Sequence, residues 1–166
     1  MSKLFQALAL MKELRNAKNG CAWTQEQTWE SLMQHTQEEV YELIEAIEQH
    51  DVNGVRDELS DLLYHLMFYA EIAEENSWFS IEDIAQIIID KHQQRMPSPA
   101  ERANYSAKEI DAHWEQTKRV ERSSKQQHGV LDGVSRALPA LLVALKYQNR
   151  AARVGFDWPD VAGVLE

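Results

Sequence analysis

Two short acidic clusters hold the residues most able to do chemistry. The first is Glu38-Glu39-Val40-Tyr41-Glu42 and the second is Glu58-Leu59-Ser60-Asp61. In a helix, residues three or four apart share a face. Glu39 and Glu42 therefore project together, Glu38 lies one turn below Glu42, and Glu58 projects with Asp61. Between them, Gln49-His50-Asp51-Val52-Asn53-Gly54 ends one helix and starts the next. Packed as a hairpin, the two helices bring these carboxylates together across one seam. Unpaired, they would repel and give up their charge. A hard divalent cation with oxygen ligands resolves the conflict, and Mg²⁺ keeps water and shares itself with substrate phosphates. Acidic helix residues are ordinarily solvated surface. Here Val40, Leu43, Ile44 and Ile47 share the first helix with its cluster, and the second opens the run Leu59, Leu62, Leu63, Leu66, Met67. Charge is rarely buried in such company without a partner.

The elements that must position these groups follow from periodicity and caps. Leu4 to Leu14 predicts an amphipathic helix, with Leu4, Leu8 and Met11 on one stripe. Asn19-Gly20-Cys21-Ala22-Trp23-Thr24 predicts a loop carrying a large aromatic, and Thr28 to Met33 a short helix. Thr36 with Glu39 fits a capping box for a helix running to about Gln49. Asp51 caps the next helix, to about Asn76. Ser80 with Asp83 caps another, to Arg95, where Met96-Pro97-Ser98-Pro99 stops it. Ser106 with Glu109 caps a helix through Trp114 to about Arg122, and Leu138 to Arg153 is the last. No segment reads as a strand, so the fold class is all-α, a helix bundle built on an acidic, metal-binding hairpin. A di-iron bundle wants Glu-x-x-His pairs, and the sequence has none.

The 166 residues allow one domain, or one and a piece, and 44% hydrophobic content supplies a core. The single cysteine, Cys21, rules out an internal disulfide and suits a reducing compartment. No apolar run reaches membrane-spanning length and no signal peptide is legible, so a cytoplasmic location is expected. The net charge of −10 argues against general nucleic-acid binding. An internal echo is visible: Leu4…Leu8…Lys12 before Gly20-Cys21-Ala22-Trp23 resembles Leu138…Leu142…Lys146 before Gly155-Phe156-Asp157-Trp158. It predicts a domain over 1–122, a polar linker over 123–137, and the start of a second, truncated unit over 138–166.

Taken together, Asn19-Gly20-Cys21-Ala22-Trp23-Thr24-Gln25-Glu26-Gln27-Thr28, Glu38-Glu39-x-x-Glu42 and Glu58-x-x-Asp61-Leu62-Leu63 resemble the MazG-type nucleoside triphosphate pyrophosphohydrolases. Trp114-Glu115-Gln116-x-Lys118 and Val154-Gly155-Phe156-Asp157-Trp158 extend the match over essentially the whole chain. The resemblance implies Mg²⁺-dependent hydrolysis of a nucleoside triphosphate to monophosphate and pyrophosphate, with Mn²⁺ as the alternative ion. It implies Glu39, Glu42, Glu58 and Asp61 as metal ligands, with Glu38 supporting a second metal or orienting water. It maps phosphate and nucleotide contacts onto Lys91, Arg95 and Lys118, with Trp114 near the base. Their spacing is compatible: Lys91 and Arg95 are four apart, as are Trp114 and Lys118. A homodimer or higher oligomer is expected. The alternative function is a catalytically silent dimerisation or regulatory unit of a tandem enzyme.

Overall fold

Helical spacing of the apolar residues builds eight α-helices and no other regular element among the described residues, which are 2–124 and 129–158 of the computed structural model. They are α1 (Lys3–Leu14), α2 (Ala22–Glu26), α3 (Trp29–Glu48), α4 (Val52–Glu75), α5 (Ile81–Arg95), α6 (Pro99–Arg102), α7 (Ala107–Ser124) and α8 (Ala140–Ala152). By internal packing the chain divides into Met1–Ile89 and Asp90–Glu166. That boundary falls inside α5, whereas the sequence reading put it at 123–137. Residues 125–128 of that expected linker, and 159–166 of the expected second unit, lie outside the described residues. No described helix is long and apolar enough to cross a membrane.

In the first unit α3 and α4 pack along each other as a hairpin, and α1 lies against α4. Met11, Leu32, Phe68 and Ile72 form the buried core, with Trp29, Tyr64 and Tyr69 packed against it. Burying a side chain such as Phe68 contributes about 1.5–3 kcal/mol. The hairpin turn is closed by hydrogen bonds. His50 takes a left-handed conformation (φ 55°), and the Asp51 N–H returns to the Ala46 carbonyl at 2.9 Å. The Asp51 carboxylate then accepts from the Asn53 N–H at 3.0 Å and caps α4, as expected. A Cβ on Gly54 would stand 3.1 Å from Ala46 Cβ and 2.9 Å from Asp51 Oδ2. The missing side chain lets α4 start tight against the end of α3.

Two sequence expectations need correction here. Helix α3 is continuous from Trp29, so the break at Thr36 does not occur. Its cap is Thr28, whose hydroxyl accepts from the Ser31 N–H at 3.2 Å while Ser31 Oγ accepts from the Thr28 N–H at 3.0 Å. Thr36 instead donates back to the Leu32 carbonyl (3.0 Å) and meets the Tyr69 hydroxyl (2.9 Å). A threonine hydroxyl satisfied by the preceding turn does not end a helix. Part of the expected aromatic loop also folds into α2. Cys21 N–H reaches back to the Leu14 carbonyl at 2.7 Å, and a Cβ on Gly20 would collide with that oxygen at 2.3 Å. Arg15 secures the segment. Its guanidinium, 7% exposed, clamps Glu75 through Nε and Nη2 at 2.7 Å each, donates to the Thr24 and Gln27 carbonyls, and covers the Phe68 ring.

In the second unit the proline stop contains a further helix. Ser98 and Glu101 form a capping box and Pro99 sits in the first turn of α6. The expected boxes before α5 and α7 are also present: Ser80 with Asp83 and Ser106 with Glu109. In all three, hydrogen bonds from serine hold the acid below its ordinary range.

Candidate functional site

The hairpin brings Glu39 from α3 together with Glu58 and Asp61 from α4. One carboxylate oxygen from each lies within 4.8 Å of the other two. Glu39 and Glu58 are half-buried, and Asp61 is exposed. Continuity of α3 frees the Glu39 side chain, since no cap at Thr36 claims it. Burial raises the Glu39 carboxyl above its ordinary value, and the charges of Asp61 and Glu42 add to the rise. Burial likewise raises Glu58, and its hydrogen bond to Glu39 raises it further. Both carboxyls therefore hold a proton more readily than an ordinary carboxylate does. Among the described residues none of Glu39, Glu42, Glu58 or Asp61 is ion-paired with a lysine or arginine. Clustered carboxylates without a countercharge fit an oxygen-loving divalent cation.

Two of the acids expected here stand apart from that group. Glu42 is not within the 4.8 Å cluster, although its charge acts on both Glu39 and Glu58. Glu38 is engaged along α3 by Gln34 Nε2 at 3.3 Å and faces His35 Nδ1 at 3.5 Å.

One turn beyond Asp61 on α4 lies His65. It is buried, at 7% exposure, yet its Nδ1 has no hydrogen-bond partner among the described residues. Burial lowers its pKa, and the neighbouring His35 acts in the same direction. Trp23 packs edge-on to His35 and to Phe68, with ring centroids 6.3 and 6.4 Å away. The exposed Cys21 thiol is lowered by the backbone amides of Thr24 and Trp23.

The four residues expected to meet the nucleotide belong to the second unit. Lys91 is exposed. Arg95 stacks over the Trp114 indole, its Cζ 5.1 Å from the ring centroid, and His92 lies against the same ring at 5.3 Å. Arg95 and Lys118 are each held by an acid. Arg95 forks onto Glu121 at 2.9 and 2.7 Å, and Lys118 bonds Glu115 at 3.1 Å. Glu115 also pairs with Arg153 at 2.8 Å. Trp114, Lys118 and Glu121 recur at four and three along one face of α7.

Comparison with known proteins adds an independent line. Residues 27–99 match the family model of the MazG nucleotide pyrophosphohydrolase domain, a span that contains all five acids of the two clusters. A nucleoside triphosphate pyrophosphohydrolase of Escherichia coli K12 is 41% identical over the whole chain, which covers 64% of that relative. The nucleoside triphosphate pyrophosphohydrolase/pyrophosphatase MazG of Thermotoga maritima is 37% identical over 98% of the chain and 62% of the relative. The chain thus spans just under two thirds of the length of these relatives. A crystal structure of a mazG-related protein from Thermotoga maritima shares the fold. Its TM-score is 0.58 at 23% identity, over 71% of this chain and 98% of that one.

Proposed function

Because the chain carries the MazG nucleotide pyrophosphohydrolase domain over residues 27–99, we propose that it hydrolyses a nucleoside triphosphate to the monophosphate and pyrophosphate with the help of Mg²⁺. The observation that carries this reading is the convergence of Glu39, Glu58 and Asp61 within 4.8 Å and without a countercharge. These three would hold the cation, with Glu42 adding negative charge from the next turn of α3. Glu38 orients water or supports a second ion. When bound, the cation lowers the pKa of water and neutralises charge developing on the pyrophosphate. Protons and a cation would compete for the Glu39 and Glu58 carboxylates, so acid would oppose metal uptake. Water attacks at the α–β anhydride, whose bridging bond breaks, and pyrophosphate leaves. Arg95, Lys91 and Lys118 hold the phosphates, and Trp114 supports the base. No covalent nucleophile is required.

The test is pyrophosphate release from a panel of NTPs and dNTPs, with Mg²⁺ and with chelator. Chelator-sensitive turnover supports the enzyme and names its substrate. A second reading is a catalytically silent unit of a longer enzyme. It is favoured by the chain's span of under two thirds of its relatives, and it predicts metal binding without turnover. In either case we expect self-association. Tyr41, Ile44, Leu59, Leu63 and Leu66 of α3 and α4 are all more than 40% exposed, and apolar helix faces of this kind are ordinarily covered. Light scattering that gives a monomer would overturn that expectation.

A further inference from the structure

Arginine is a poor phosphate ligand when it is loose. Its long side chain must be ordered at the moment of binding, and that ordering opposes affinity. Arg95 is not loose. Its guanidinium lies over the face of Trp114 at 5.1 Å. The Glu121 carboxylate grips one edge, through Nε at 2.9 Å and Nη2 at 2.7 Å. The Arg95 carbonyl is tied to His113 Nδ1 at 3.1 Å. The pair is largely withdrawn from water, with 17% and 26% of the two side chains exposed. The grip uses the Nε–Nη2 edge only, which leaves Nη1 outside the pair. A guanidinium fixed by a ring beneath and a carboxylate along one edge offers its remaining donors in one direction.

We propose that Glu121 is a positioning residue that pre-orients Arg95 for a phosphate chain. This rests on the reading above in which Arg95 meets the substrate phosphates. Glu121 cancels one charge, which by itself weakens attraction to an anion. The pre-ordering outweighs that loss, because a mostly buried guanidinium deprived of its carboxylate turns to find another partner.

The probe is inorganic triphosphate with Mg²⁺, titrated calorimetrically into the full chain as wild type, Glu121→Gln, Arg95→Gln and the double variant. Glu121→Gln is expected to weaken binding about tenfold, the scale of one charge-assisted hydrogen bond, with Mg²⁺ affinity unchanged. Arg95→Gln weakens it at least as much, and the double variant no further, since both act through one guanidinium. Glu121→Asp, which keeps the charge, recovers part of the loss. Unchanged or tighter binding by Glu121→Gln, with Arg95→Gln still weakened, overturns the proposal. So does a lower melting temperature without an affinity change, or fully additive losses in the double variant. Wild-type binding by Arg95→Gln, or no binding by the wild type, overturns the underlying reading of Arg95 instead.

Discussion

The acidic seam of α3 and α4 and the charged cluster around Trp114 solve opposite problems. In the seam, Glu39, Glu58 and Asp61 crowd together with no lysine or arginine paired to them among the described residues. The molecule absorbs the repulsion by raising carboxyl pKa values rather than by supplying countercharge. Around Trp114 each gripped cation is paired with an acid: Arg95 with Glu121, and Lys118 and Arg153 both with Glu115. A cluster of paired opposite charges is stable as it stands. A cluster of like charges is not, and it depends on something from outside. The contrast supports the proposal that an external cation belongs at the seam, and that the paired cluster around Trp114 does not need one.

The strongest way to break this contrast is to remove one carboxylate from each region. Asp61→Asn or Glu58→Gln is expected to lower Mg²⁺-dependent pyrophosphate release on the order of 10²–10³-fold. Glu115→Gln is expected to lower it less than about tenfold. Steady-state pyrophosphate assays decide; retained turnover in either seam variant would sink the metal assignment. A stability measurement sharpens the same point. Without metal, Glu39→Gln removes a like charge from the seam and raises the melting temperature by about 2–4 °C. With saturating Mg²⁺ the order reverses, because only the wild type gains from binding. Should Glu39→Gln melt lower in chelator as well, the seam is not frustrated and the contrast fails.

Much of this was legible in sequence, for a reason visible in particular residues. The clusters lie on strongly periodic helices, and Asp51, Ser80 and Ser106 announce their caps with short-range chemistry. Periodicity therefore fixed that Glu39, Glu58 and Asp61 converge. The errors came where two local signals compete. Thr36 with Glu39 has the spacing of a capping box, but a hydroxyl can bond the preceding turn equally well, and the contact with Tyr69 decides the matter from 33 residues away. The acids that grip Arg95 and Lys118 were hidden for a different reason. An ion pair between Arg95 and Glu121 spans 26 residues, and nothing in local spacing selects Glu121 over its neighbours until the helices pack. His65 illustrates the remaining gap: its unsatisfied Nδ1 is a property of three-dimensional packing alone.

A pH titration gives a smaller but directional effect. Glu39 and Glu58 have folded pKa values above their unfolded ones. Their contribution to stability is fully present below the ordinary carboxylate range and is lost as pH rises through the raised values. The capping acids Asp83, Glu101 and Glu109 are lowered, so theirs is present above the ordinary range and lost as pH falls through the lowered values. In chelator, mild acidification from neutrality should therefore raise the melting temperature before further acid lowers it. With Mg²⁺ the first rise should vanish, because protons and cation compete for the same oxygens. Parallel curves with and without Mg²⁺ would mean that the seam carboxylates do not bind it.

The smallest effects distinguish the helix that carries Glu39 from the two pieces expected in its place. Thr28→Ala removes the true cap of α3 and is expected to cost about 1 kcal/mol. Thr36→Val keeps the shape but deletes the hydroxyl shared with Tyr69, at about 0.5–1.5 kcal/mol. Thr28 lies about three turns and Thr36 about one turn before Glu39, so neither change should alter Mg²⁺ affinity if the helix runs unbroken through Thr36. Chemical denaturation gives the two costs and calorimetry the metal affinity. A Thr36→Val variant that loses Mg²⁺ binding while remaining folded would mean that Thr36 does set the Glu39 carboxylate, and that the seam depends on a local cap rather than on a continuous helix.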